Sequence, residues 1–232
     1  MPSIKKNFSV WEETFKSFLS QKNFGDSWSE AWGSPLLQWY SMIFPRLYRY
    51  LPSTHIYEIA SGLGRWSFFL QYYSSNITLS DISNESINFL KDRFKKNQNI
   101  KCYINDGKKI ISDNKLDLVF TFDSLVHCDY EVIKSYVLEF KRLTKANSVF
   151  FLHHSNLADC LSKTRNSGHN GWRSDDVSSQ IVAKLCDEND LQVIYQEVFD
   201  WGSVKDYLDC ISVIAKDSDY ICSNIKYNNK LM

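Results

Sequence analysis

Three acidic residues stand at the ends of successive strand-like runs: Glu58 within the first, Asp81 closing the second and Asp106 just past the third. Between the first two lies Ala60-Ser61-Gly62-Leu63-Gly64-Arg65. Small residues at such a strand-to-helix junction let backbone amides face a ligand. A dinucleotide enzyme uses a turn of this kind, and Asp81 stands where its ribose-binding acid would. Three details oppose that reading: Glu58 precedes the glycines, Ser67 replaces the third glycine, and Asp106 adds another carboxylate. A row of negative charge leaves little room for a pyrophosphate. It suits a cationic, phosphate-free ligand carrying an amine, a ribose and an adenine.

A second group offers proton chemistry. Asp123 and His127 follow the fourth strand-like run, and His153 and His154 close the fifth. A hydroxyl is a poor nucleophile, and a positioned base helps it react. His154 is the first candidate, because an unperturbed imidazole titrates near neutral pH. Asp123 and His127 follow, as base or as groups that orient the substrate. Side chains alternate along a strand, so only one of His153 and His154 faces the site. His127, Asp123, Asp129 and His154 would suit a divalent ion, but the spacing demands none, and no metal site is assigned.

The polar stretch from about 153 to 175 reads as a long active-site loop. Within it Trp172 offers an apolar plate for a sugar ring. Asn156, His169 and Asn170 offer hydroxyl-matching hydrogen bonds. Arg173 suits a carboxylate or phosphate, gripped with both arms of the guanidinium, or else a surface ion pair.

These residues need a frame. From residue 55 strands and helices alternate at a spacing that predicts a doubly wound, mostly parallel sheet of seven strands. Strands are expected at 55–60, 76–80, 101–104, 116–122, 148–152, 191–198 and 210–215, the last two as a hairpin-like edge. Right-handed crossovers then put the carboxyl ends on one edge, where a ligand lies. Residues 1–52 read as an N-terminal helical cap, 53–217 as the binding domain and 218–232 as a polar tail that frays. The stretch from Trp28 to Tyr50 is rich in aromatics, among them Trp39 and Tyr40. It is either a cap over the cleft, with those two touching substrate, or a helical layer packed on the sheet.

Composition narrows the partners. The 232 residues carry a formal net charge of +0, so no basic field argues for nucleic acid or anionic lipid. No apolar run approaches the ~20 residues that span a bilayer. The six cysteines form no CxxC pair, which reads as reduced thiols in a cytoplasmic protein.

Taken together, residues 55–215 resemble the class I S-adenosylmethionine (SAM)-dependent methyltransferases. The family's first motif, an acid followed by a glycine-rich turn, matches Glu58 to Arg65, with Ala60 in place of the usual first glycine. The resemblance implies that Asp81 accepts hydrogen bonds from the ribose hydroxyls and that Asn105 and Asp106 contact the adenine. It implies further cofactor contacts at Glu58, Ala60, Gly62, Gly64, Arg65, Ile82, Gly107, Phe122 and Asp123. The stretches "EIASGLGRW", "NDGKKI", "TFDSLVHCD", "FLHHSNL", "NGWRS" and "WGSVKDYLDCISV" look like bacterial sugar O-methyltransferases of O-antigen and capsule pathways. So does "AWGSPLLQWY". That likeness implies SAM as cofactor and a glycan or lipid-linked glycan as acceptor. A partner in a biosynthetic complex or a second copy of the chain fits the same likeness. Two other readings stay open: a natural-product methyltransferase, and a catalytically silent subunit that keeps the fold.

Overall fold

The computed structural model describes residues 3–20, 33–160, 173–200, 207–216 and 226–228. Apolar, β-branched and aromatic runs form the strands β1 (Ser53–Ile59), β2 (Ser74–Asp81), β3 (Ile100–Ile104), β4 (Leu116–Thr121) and β5 (Thr144–Ser155). β6 (Gln192–Phe199), β7 (Asp209–Ala215) and β8 (Lys226–Asn228) complete one sheet, in the order β3-β2-β1-β4-β5-β7-β6-β8. All neighbours pair in parallel except β7, which runs antiparallel to both β5 and β6. The predicted seven strands are therefore present, in the class I methyltransferase arrangement. The expected hairpin of the last two is there too, but its later strand lies on the inside. An eighth strand comes from the segment read as a fraying tail, since Lys226–Asn228 pairs along β6.

The helices are α1 (Ile4–Ser20), α2 (Pro35–Gln38), α3 (Phe44–Leu47), α4 (Ser67–Leu70), α5 (Asn84–Arg93), α6 (Tyr130–Leu143) and α7 (Ser179–Asp187). A π-helical turn, Trp39–Ile43, joins α2 to α3. Polar caps start the longer ones: the side chains of Ser83, Asp129 and Ser178 accept from Ser86 N, Val132 N and Ile181 N.

Strand alternation sorts the core into two layers. Ile56, Leu118, Phe120, Phe151 and Val213 face one way, against Trp39, Met42, Leu47, Leu70 and Leu90. Tyr57, Val119, Phe150, Leu152 and Ile214 face the other, against α6 and α7 through Ile133, Val137, Val182 and Leu185. The aromatic stretch thus resolves as the helical layer on the sheet. Trp39 is fully buried and stacks on Phe69 at 4.9 Å between centroids. Trp28 and Trp32 lie outside the described residues. Among the described residues, no helix is long and apolar enough to cross a membrane.

The strand order reverses between β1 and β4. The carboxyl ends part there, and a crevice opens.

Candidate active site

β1 runs directly into a turn with left-handed backbone at Ala60 (φ 53°), Gly62 (φ 56°) and Gly64 (φ 84°). A Cβ at Gly64 would stand 2.8 Å from the Phe94 ring and 2.9 Å from Leu90, so α5 can pack closely only on glycine. Asp81 holds the turn: one carboxylate oxygen accepts from Gly62 N and the other from Ser83 N, each at 2.9 Å. Burial pushes the Asp81 carboxyl up to about 6, against the pull of those amides. Burial pushes Glu58 up to about 8; its Oε2 accepts from Ser67 Oγ at 2.5 Å. Glu58 thus braces the start of α4 from within the core.

Beyond the turn lies a cleft of about 940 Å³, open to solvent. Ala60, Gly62, Arg65, Asp81 and Ile82 line it on the glycine-turn side, and Phe122, Asp123, Ser124 and Leu125 line it after β4. Gly107 and Tyr136 add to the wall. Its cover was not read from the sequence: Ile4, Asn7 and Trp11 of α1. Asn7 Nδ2 donates to His127 O at 2.8 Å, and Ser83 Oγ donates to Glu12 Oε2 at 2.5 Å. A Cβ on Gly107 would stand 3.2 Å from Ile4. The spacing of Ile4, Asn7 and Trp11, three then four residues, puts them on one helical face, and that signal was available.

Asp123 has left-handed backbone (φ 60°) just past β4. Its amide donates to His153 Nδ1 at 2.9 Å, and its carboxylate accepts from the Arg65 guanidinium at 2.9 Å. That guanidinium lies 4.3 Å above the Trp66 ring. His153 is buried between Phe122 and Phe199, with centroids at 4.4 and 5.4 Å. Its Nε2 faces Asp209 Oδ2 at 3.6 Å. Asp209 grips Arg173 with both oxygens, at 2.5 and 2.7 Å. Burial opposes the charge on Asp209, but Arg173 outweighs it and holds the carboxyl well below the usual carboxylate range.

Several sequence expectations change here. His154 points to the α7 side of the sheet, with Nδ1 against Ser155 O and Nε2 against Ser212 Oγ, both at 2.8 Å. Burial lowers it to about 4, so it is a structural histidine away from the cleft. His153 faces the opposite layer from His154 and meets the backbone of Asp123 without lining the cleft. Arg173 is committed to Asp209 and offers no grip on a substrate acid. Asn156 ties the end of β5 to its surroundings, donating to Tyr207 O at 2.9 Å and accepting from Ser179 N at 2.8 Å. Trp39 is core, and Tyr40 is exposed on the outer helical layer, edge-on to Phe44. Asn105 and Asp106 use their side chains on their own turn: Asn105 donates to Lys109 O, and Asp106 accepts from Lys108 N and Lys109 N. His127 is mostly buried, its ring 5.8 Å from Trp11. His169, Asn170 and Trp172 lie outside the described residues. Among the described residues, no group of three or more potential metal ligands comes together.

The cleft fits SAM. Its left-handed turn and the under-neutralised Asp81 match a ligand with ribose hydroxyls and a positive centre. The Trp66 indole N–H, buried in the wall, has no hydrogen-bond partner among the described residues and suits a ligand acceptor.

Residues 56–147 match the family model of the methyltransferase domain. No curated protein matches the chain. Among solved structures, a SAM-dependent methyltransferase from Clostridium acetobutylicum ATCC 824 superposes with a TM-score of 0.65 at 14% identity, covering 87% of this chain and 100% of that one. The N-methyltransferase NodS from Bradyrhizobium japonicum WM9, in complex with S-adenosylhomocysteine, gives 0.62 at 13% identity, covering 91% and 99%. The glycopeptide N-methyltransferase MtfA complexed with SAM gives 0.55 at 12%, covering 77% and 87%. The chain thus carries a methyltransferase domain on the class I fold. Its fold is that of the class I SAM-dependent methyltransferases.

Proposed function

We propose that the protein transfers the methyl group of SAM to a sugar hydroxyl of a bacterial surface glycan or its lipid-linked precursor, with Asp123 receiving the proton. One observation carries this reading. Of the three residues considered as base, Asp123 is among those lining the cleft, while His154 has both ring nitrogens engaged by Ser155 O and Ser212 Oγ. When bound, SAM supplies an electrophilic methyl on a sulfonium. Asp81 and the turn around Gly62 hold the ribose and set the depth of binding. Ile4 and Trp11 keep water from the reacting end. Arg65 orients Asp123, so its carboxylate can accept a proton from a hydroxyl brought within hydrogen-bond reach. The sugar class rests on the sequence resemblance.

NodS and MtfA are both described as N-methyltransferases, so the test must separate oxygen from nitrogen. Calorimetry with SAM and S-adenosylhomocysteine comes first. A panel of neutral sugars, amino sugars and small aromatic acceptors follows, with Asp123→Asn as control. Methylation of a sugar hydroxyl, slowed about 10²–10⁴-fold in the variant, is the expected result. Turnover confined to amines, or a variant as fast as wild type, would overturn it. Folded protein that binds neither ligand would bring the silent-subunit reading forward.

A further inference from the structure

We propose that His153, Asp209 and Arg173 form a buried relay that positions Asp123, turning its carboxylate toward Arg65 and the cleft. The proposal rests on the reading that Asp123 acts at the methyl-transfer site. It concerns residues that do not touch substrate and act through the backbone of one that does.

The geometry runs in one direction. A backbone N–H can only donate, so the 2.9 Å contact from Asp123 N makes His153 Nδ1 the acceptor. The ring proton of a neutral imidazole then sits on Nε2, which lies 3.6 Å from Asp209 Oδ2, an electrostatic contact rather than a hydrogen bond. Asp209 is in turn fixed by the two-armed grip of Arg173. Phe122 and Phe199 both stack on the fully buried His153 ring, which packs it in place. At the far end of this chain Asp123 holds a left-handed backbone angle that non-glycine residues seldom adopt. Such a conformation persists only where the surroundings over-determine it, and such sites cluster where chemistry is done. Here the His153 acceptor supplies that determination at the Asp123 amide, and Arg65 supplies it at the carboxylate.

A buried Arg–Asp pair by itself is weak evidence of anything beyond packing. What sets this one apart is the imidazole between it and a cleft residue. A carboxylate on the Nε2 side of a histidine favours the tautomer that carries its proton there. This arrangement explains why Arg173 and His153, both expected to meet substrate, are found beneath the cleft wall instead.

The test uses nitrogen NMR on the full chain bound to S-adenosylhomocysteine, with His153→Phe, which keeps the aromatic stack, and Arg173→Lys. In wild type, His153 should carry its proton on Nε2, with a through-hydrogen-bond coupling between Asp123 N and His153 Nδ1. In both variants the Asp123 amide should lose protection from exchange while the β5 and β7 amides keep theirs. Methyl transfer should fall about a hundredfold in kcat with little change in KM for SAM, as for a small misplacement of a reacting group. A proton on Nδ1 would overturn the proposal. So would a protected Asp123 amide in the variants, or loss of protection spread evenly through β5 and β7. The NMR signatures need no acceptor. An intact relay together with full activity of Asp123→Asn would therefore sink the role of Asp123 in the reaction, and the relay as a positioning device with it. A broken relay beside an inactive Asp123→Asn would sink the relay alone.

Discussion

At the carboxyl ends of β1 and β2, buried carboxyls are held by uncharged donors: Asp81 by two backbone amides, Glu58 by the hydroxyl of Ser67. At the end of the sheet where β7 begins, Asp209 is held by a guanidinium. All three are buried, yet burial wins at the first two, pushed up to about 6 and about 8, and loses at the third, which is driven down. The difference lies in what each region leaves unfinished. On the glycine-turn side Asp81 is left without a full counter-charge and Glu58 holds its proton, which suits a ligand that brings hydroxyls and a positive centre. The β5–β7 side is internally neutralised, so it can hold other groups still but recruits nothing.

The sharpest way to break this contrast is Asp209→Ala. It strands the Arg173 guanidinium in the interior and should cost about 3–5 kcal/mol in urea unfolding. Asp81→Asn should behave in the opposite manner, unfolding near the wild-type midpoint. Its affinity for S-adenosylhomocysteine should fall roughly tenfold to a hundredfold by calorimetry, as expected for lost hydrogen bonds to a charged group. Glu58→Gln sharpens the comparison through pH. The folded state holds the Glu58 proton up to about 8 against an ordinary 4.5, so it binds more protons than the unfolded chain across that window. That stabilisation is complete below about 4.5 and is lost as pH rises toward 8. The glutamine variant should flatten the slope of unfolding free energy across this range, by at most about 1.4 kcal/mol per pH unit. Smallest of all is Tyr40→Ala, outside both regions. It should stay within about 0.5 kcal/mol of wild type and leave cofactor affinity unchanged.

The half of the molecule legible in the sequence is the half whose contacts are local or periodic. The glycine turn, its acids and the first five strands announce themselves by pattern. So does the division of labour at the tandem histidines, because strand alternation guarantees that they face opposite sides. It does not say which side, and the choice of His154 as base failed there: its ring nitrogens are taken up by Ser155 O and Ser212 Oγ. Arg173 and Asp209 were invisible as a pair because 36 residues separate them and nothing in either neighbourhood marks a partner. Asn156 read as polar and free for the same reason, although its bonds to Tyr207 and Ser179 are long-range. The cover from α1 was legible in principle from Ile4, Asn7 and Trp11. The following stretch is denser in aromatics yet forms the outer helical layer.

The placement of β7 between β5 and β6 has a consequence for how the chain acquires its shape. As the polypeptide leaves the ribosome, β6 is made before β7, yet β6 reaches the rest of the sheet only through β7. Until residue 215 has been synthesised, β5 presents an open edge and β6 has no earlier strand to pair with. The same late arrival delivers Asp209, the counter-charge for Arg173. A nascent chain is therefore exposed to edge-to-edge association over this interval, and a stop anywhere within β7 forfeits β6 and β8 along with β7 itself.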